Sequence, residues 1–178
     1  AAIGALWAQK RWRAERVMVL DFDAHHGDGT EEILADRPGV RFLSLFQWPL
    51  FPHRRMEPTP SNAVLSPLPA GAGGEDIRNV VENVWLPEID KFQPDLMILS
   101  AGFDAHCEER IAQLKAGEMD YACVTRLLVE ASFAYCEGRL VSVLEGGYEL
   151  RSLARSVFTH LQGLIRNPLP AETCKDPN

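Results

Sequence analysis

Val17-Met18-Val19-Leu20 is an unbroken apolar run, two of its residues β-branched, and it leads directly into Asp21-Phe22-Asp23-Ala24-His25-His26-Gly27-Asp28-Gly29. A short apolar segment that ends in polar residues has the pattern of a strand buried on both faces, delivering functional groups at its carboxyl end. Side chains alternate along extended backbone, so the spacing predicts Asp21, Asp23 and His25 on one side and Phe22 and Ala24 on the other. Two carboxylates and an imidazole beside an apolar strand carry a large desolvation cost unless a positive charge joins them. A divalent metal ion is the simplest occupant.

The same pattern recurs along the chain. Val40 to Leu45, Asp95 to Ser100 and Leu140 to Leu144 read as further strands without polar alternation. Helical patterns lie between them, over Ala1 to Arg13, from Thr30 to Leu34, from Gly73 to about Phe92, from Gly117 to Tyr135 and from Leu150 to Ile165. Strands and helices in alternation predict an α/β protein, a parallel sheet with flanking helices. Ligands gather at the carboxyl ends of such strands. Three of these ends carry polar groups: Asp23 with His25, Asp104, and Tyr148. The stretch from Phe46 to Gly74 is rich in Pro and aromatic residues and has no period, so it is expected to be a long loop of the kind that is usually functional.

Composition narrows the classes further. A chain of 178 residues, 46% hydrophobic, can bury a substantial core, and residues 1–165 are read as one domain followed by a polar tail over 166–178. The net charge of -7 argues against direct nucleic-acid binding. No apolar run approaches the roughly 20 residues that span a bilayer, and no signal segment opens the chain, so a cytoplasmic protein is expected. Cys107, Cys123, Cys136 and Cys174 form no CxxC pair, and neither a thiolate zinc site nor a disulfide framework is expected.

Asp-x-Asp-x-His-His-Gly-Asp-Gly at 21–29, Ser44-Leu45, Gly102-Phe103-Asp104-Ala105-His106 and Glu145-Gly146-Gly147-Tyr148 occur in order, each at a strand end. In these motifs the chain resembles the zinc-dependent histone deacetylase family, in particular its bacterial class II-like and acetylpolyamine amidohydrolase members, from Ala1 to about Leu164. The resemblance implies an arginase/deacetylase-like fold whose N-terminal part is missing, so that residues 1–165 are a partial catalytic domain from the C-terminal portion. It implies Asp23, His25 and Asp104 as metal ligands and Tyr148 as the donor to a developing oxyanion. It places a potassium ion near Asp21, Asp23, His25, Ser44 and Leu45, and a second monovalent cation near the main-chain oxygens of Leu34, Arg37 and Val40. Phe51, Gly146 and Gly147 would line the tunnel for an acetylated lysine peptide or an acetylated polyamine. Zinc is the implied metal, with iron(II) as an alternative because oxygen-rich ligand sets accept several divalent ions.

In the family a His-His pair upstream of the first strand acts as base, with Asp21 and Asp28 each orienting one histidine. No histidine precedes residue 17 here. The chain departs from the family pattern also at Phe46, at His53-Arg54-Arg55 and at Glu109-Arg110. Two alternatives stand beside the deacetylase. One is a catalytically incomplete metal-binding remnant with an exposed sheet edge or apolar face, through which copies could associate. The other is a haloacid-dehalogenase-like phosphatase, with Asp21 as nucleophile and Asp23 as acid/base, although His25 stands where Thr or Val is expected.

Overall fold

The computed structural model describes residues 1–53 and 59–165. Expectations that fall on Arg54, Arg55, Cys174 and the 166–178 tail lie outside the described residues. The apolar run forms β1 (Val17–Asp21), every residue of which is buried. It takes the centre of a five-stranded sheet with β2 (Val40–Gln47), β3 (Ala63–Leu68), β4 (Leu96–Ala101) and β5 (Leu140–Leu144), in the order β3-β2-β1-β4-β5. All four pairings are parallel, which bears out the α/β expectation. Asp21 stands opposite Ser44 on β2 and Ser100 on β4, so β1 and β4 end within a residue of each other while β2 runs on to Gln47.

The helices are α1 (Ala2–Trp12), α2 (Asp28–Leu34), α3 (Gly74–Val80), α4 (Leu86–Phe92), α5 (Glu118–Cys136) and α6 (Leu150–Leu164). A π-turn over Val81–Trp85 joins α3 to α4. It falls just before Pro87, which lacks the N–H that a regular helix would bond to Asn83. The period of two survives inside the apolar strands. Val17 and Val19, with Phe42 and Ile98, meet Ala2, Ala5 and Ala8 of α1 on one face. Met18 and Leu20, with Leu43, Leu45, Met97 and Leu99, meet Val81, Trp85, Ile89 and Leu128 on the other.

One element differs from the sequence expectation. β3 lies inside the stretch read as a loop. It contains Pro67, and most of its residues are only half-buried. Both are marks of an edge strand, where a missing N–H need not cost a ladder bond. Its pairing partner supplies the extended conformation, and that partner is invisible to local pattern. The opposite edge, β5, leaves Val141, Val143 and Leu144 exposed. Cys107 and Cys136 are free, Cys107 exposed and Cys136 buried. No described helix is long and apolar enough to cross a membrane.

His160 ties α6 to the rest of the core. Its Nδ1 lies 2.6 Å from Thr125 Oγ1 and its Nε2 lies 2.8 Å from Ser142 Oγ. Thr125 Oγ1 also donates to the Tyr121 carbonyl at 2.6 Å, so the network assigns a neutral ring with its proton on Nδ1. Burial pushes the imidazole down to about 4. Between that value and 6.5 the unfolded chain binds a proton that the folded chain does not, so stability is full above pH 6.5 and declines as the pH falls towards 4. At its limit this group costs about 3 kcal/mol. We expect urea-unfolding free energies of His160→Gln to fall less between pH 7 and pH 5 than those of the wild type, by about 2 kcal/mol; parallel pH profiles would contradict the assignment.

Candidate metal centre

β1 ends at Asp21, and beyond it the backbone does not continue extended. Asp21 Oδ1 accepts the N–H of Asp23 at 3.1 Å, and Asp23 Oδ1 accepts the N–H of His25 at 2.8 Å. Two successive turns of this side-chain-to-backbone kind, which Asp favours, replace the strand alternation expected for Asp21, Asp23 and His25. Asp21 stays with the sheet, buried on the α1 side, while Asp23 and His25 swing to a common rim. Asp104 arrives there from the end of β4, and its Oδ1 accepts the N–H of Ala24 at 2.8 Å.

The three side chains converge. His25 Nδ1 lies 2.7 Å from Asp104 Oδ2 and 3.1 Å from Asp23 Oδ1. One ligand atom from each of Asp23, His25 and Asp104 lies within 4.8 Å of the others. Asp104 is fully buried, whereas the His25 side chain remains 21% exposed, so the rim opens to water on the imidazole side. From the end of β5, the N–H of Gly146 donates to Asp23 Oδ2 at 2.8 Å. Backbone donors from two separate loops thus orient both carboxylates before anything binds them. A nitrogen and two carboxylate oxygens at this spacing suit a divalent cation with one side left open.

Electrostatics point the same way. Burial, then the charge of Asp23, raises the Asp104 carboxyl, while hydrogen bonds from His25 act against that rise. Burial opposes ionisation of Asp23 as well, but hydrogen bonds from His25 and Gly146 outweigh it and hold that carboxyl low. Hydrogen bonds to Asp104 and then Asp23 draw His25 up to about 10. Two carboxylates thus face one imidazole, an arrangement that favours positive charge between them. Asp21 is raised well above the carboxylate range by burial and then by Asp23. It borders a cavity of about 150 Å³ shared with Asp23, His25, His26, Ser100 and Glu145.

Tyr148 follows Gly146 and Gly147. Its phenol is raised by burial first and then by the charges of Asp104 and Asp23, so it stays protonated at neutral pH. The loop carrying Glu109 and the start of α6 enclose, with Tyr148, an open cleft of about 520 Å³. Gly147 has φ of 137°, a value that L side chains rarely adopt. A Cβ on Gly146 would stand 2.5 Å from both Asp23 Oδ2 and Asp104 Oδ2.

The other anticipated residues are placed as follows. Ser44 and Leu45 are buried in β2, with Ser44 paired to Asp21 in register and its Oγ 3.4 Å from His26 Nδ1. Asp28 is exposed in the first turn of α2, where its carboxylate accepts the N–H of Gly29, and it borders neither cavity. Phe51 is 68% exposed beyond β2, meets His53 edge-on, and also borders neither cavity. The carbonyls of Leu34 and Val40 do converge, on the side-chain amide of Asn62 at 2.7 and 3.2 Å. The sequence assigned no role in the site to Glu145, Ser100 or Glu109, although Glu145 opens the Glu-Gly-Gly-Tyr motif and Glu109-Arg110 marks a departure from the family pattern. Ser100 donates to Glu145 at 3.0 Å, and the place of Glu145 just after a strand was the one available signal. For Glu109 the sequence offered only that departure and no hint of its partners, which lie about forty positions away.

A family model described as "Histone deacetylase domain" matches residues 1–164. "Histone deacetylase 10, chloroplastic" of Oryza sativa subsp. japonica is 34% identical over 99% of this chain and 41% of that protein. "Probable deacetylase" of Archaeoglobus fulgidus is 37% identical over 84% of the chain and 43% of that protein. "Polyamine deacetylase HDAC10" of Homo sapiens is 33% identical over 95% of the chain and 26% of that protein. The chain spans less than half the length of each of these relatives. Among solved structures, the HDA15 HD domain matches 98% of the chain and 51% of that structure, with a TM-score of 0.84 at 30% identity.

The close approach at Gly146 is directly testable. Gly146→Ala is expected to push the two carboxylates apart, costing about 1–3 kcal/mol of stability and at least tenfold in affinity for a divalent ion. Thermal unfolding and calorimetric metal titration read both, and unchanged metal affinity would show that the carboxylates do not need the glycine.

Proposed function

The chain belongs to the histone deacetylase family, and from that premise we propose that it carries the metal site of an amide-hydrolysing deacetylase acting on an acetylated amine, either a lysine side chain in a peptide or a polyamine. The observation that supports this most is the convergence of Asp23, His25 and Asp104 from two strand ends on one open rim, with the Tyr148 phenol within reach of their charge. Asp23, His25 and Asp104 would hold zinc, or iron(II) in its place. A bound zinc supplies Lewis acidity, which polarises the amide carbonyl and acidifies a water molecule.

The remaining roles belong to the chain's own side chains. Asp23 and Asp104 balance the charge of a dication. The Tyr148 phenol, kept protonated, donates a hydrogen bond to the oxygen of the amide as negative charge builds there. Gly146 lets that turn lie against the ligands. Water attack also needs a base. Among the described residues no histidine hydrogen-bonds Asp21, and His26 is engaged with Glu31 and packed 4.5 Å from the Phe46 ring. We therefore assign the base to a His-His pair outside the described residues, Asp21, beside the 150 Å³ cavity, orienting one histidine and Asp28 the other. On this reading the present chain binds metal while turning over slowly or not at all, which the remnant alternative shares.

Asp21, buried and paired with Ser44, supports a potassium ion bound by Asp21, Asp23, His25, Ser44 and Leu45, since a cation would let its carboxyl ionise. Phe51 and the two glycines are retained as the proposed tunnel wall. The apolar edge of β5 supports association of copies of the isolated chain.

Two experiments test the reading. Removing divalent ions with a chelator should lower the unfolding midpoint, and zinc at a hundred times its Kd should restore about 2.7 kcal/mol; Asp104→Asn and His25→Ala should abolish that gain. In a deacetylase supplied with its base, Tyr148→Phe should lower kcat about 100- to 1000-fold at unchanged zinc affinity. Full activity of Tyr148→Phe would remove the phenol from the mechanism.

A further inference from the structure

We propose that Glu109 is a positioning residue: by accepting the main-chain N–H groups of Tyr148 and Glu149 on one carboxylate oxygen, it sets where the Tyr148 phenol stands relative to the Asp23, His25 and Asp104 cluster. This rests on the deacetylase reading of that cluster. Glu109 Oε1 lies 2.6 Å from the nitrogen of Tyr148 and 2.8 Å from that of Glu149. Two consecutive N–H groups aimed at one point make a small concavity for an anion, and here a side chain of the same protein fills it. The left-handed backbone at Gly147 starts the turn that brings those N–H groups round.

The tether matters because little else holds the phenol. The Tyr148 side chain is 61% exposed, and among the described residues no hydrogen bond engages its hydroxyl. Its position is inherited from its backbone. On the far side of the turn, the Glu149 carboxylate accepts the N–H of Ser152 at 2.7 Å and so anchors the start of α6.

Glu109 itself is firmly mounted. It follows Asp104 in the loop after β4, where its N–H bonds the His106 carbonyl at 2.9 Å, and the N–H of Cys107 bonds Ala116 at 2.8 Å. Arg155 of α6 reaches back to Glu108 at 2.6 Å. The loop that delivers the metal ligand Asp104 thus also dictates the place of the oxyanion donor. A small misplacement of a catalytic group is enough to slow a reaction strongly, so the effect of losing Glu109 should fall on kcat.

Glu109→Ala removes both acceptors, and Glu109→Gln keeps one carbonyl oxygen in their place. We expect hydrogen exchange of the Tyr148 and Glu149 amides, in the zinc-loaded protein, to accelerate at least tenfold in Glu109→Ala and to stay near wild type in Glu109→Gln. In a deacetylase supplied with its base and with an acetyl-lysine peptide as substrate, Glu109→Ala should lower kcat about ten- to a hundredfold, with KM and zinc affinity within about twofold, and Glu109→Gln should recover most of the loss. Unchanged exchange, unchanged kcat, or a kcat loss matched by an equal loss of zinc affinity would each overturn the proposal. If the protein supplied with its base binds zinc but releases no acetate, the deacetylase reading fails on its own account. The exchange comparison then decides alone whether Glu109 holds the turn.

Discussion

The concentration of like charge at the carboxyl edge of the sheet is the constraint to which the surrounding structure answers. Asp21, Asp23 and Asp104 come within interaction range of one another, two of them buried outright. Carboxylates so placed repel each other and lose hydration, and an isolated pair would simply take up protons. The fold opposes this with N–H donors from Ala24, His25 and Gly146, and with the His25 ring set between Asp23 and Asp104. Such preorganisation stores an affinity for positive charge. A dication held by the same three side chains would satisfy that demand.

That arrangement depends in turn on register. Parallel pairing sets Asp21 level with both Ser44 and Ser100, so the segments after β1 and β4 leave the sheet side by side. A slip of one residue would turn Asp21 into the opposite face and separate Asp23 from Asp104. Apolar packing on both sides of β1, against α1 on one face and against α3, α4 and α5 on the other, holds the register. The core therefore serves the site by keeping β1 and β4 in register. The glycines serve it by keeping space beside the carboxylates free.

The same edge brings the groups of the proposed reaction together by short routes. Asp104 and Glu109 share one loop, and Gly146, Tyr148 and Glu149 share another. The contact between these loops, through Glu109, couples the metal cluster to the phenol. The departure of Glu109-Arg110 from the family pattern therefore sits at a structural junction of the site. Asn62, bridging the Leu34 and Val40 carbonyls, similarly shows a neutral side chain at oxygens assigned by resemblance to a second cation.

Much of this was legible in the residues alone. Largely apolar runs without polar alternation at β1, β2, β4 and β5, separated by helical periods, pointed to a parallel α/β sheet, because central strands covered on both faces do not alternate. The polar residues just beyond those runs marked Asp23, His25, Asp104 and Tyr148 as candidates, since strand ends are where such sheets can expose them. Tertiary structure alone decided the rest. β3 became a strand only by pairing with β2, as its own half-polar, proline-containing sequence carries no clear signal. Asp21 and Asp23 parted company because side-chain-to-backbone hydrogen bonds overrode the strand alternation that their spacing suggested. Glu109 acquired its place because its partners are two N–H groups some forty residues away, and no local rule of propensity or spacing registers a contact made at that separation.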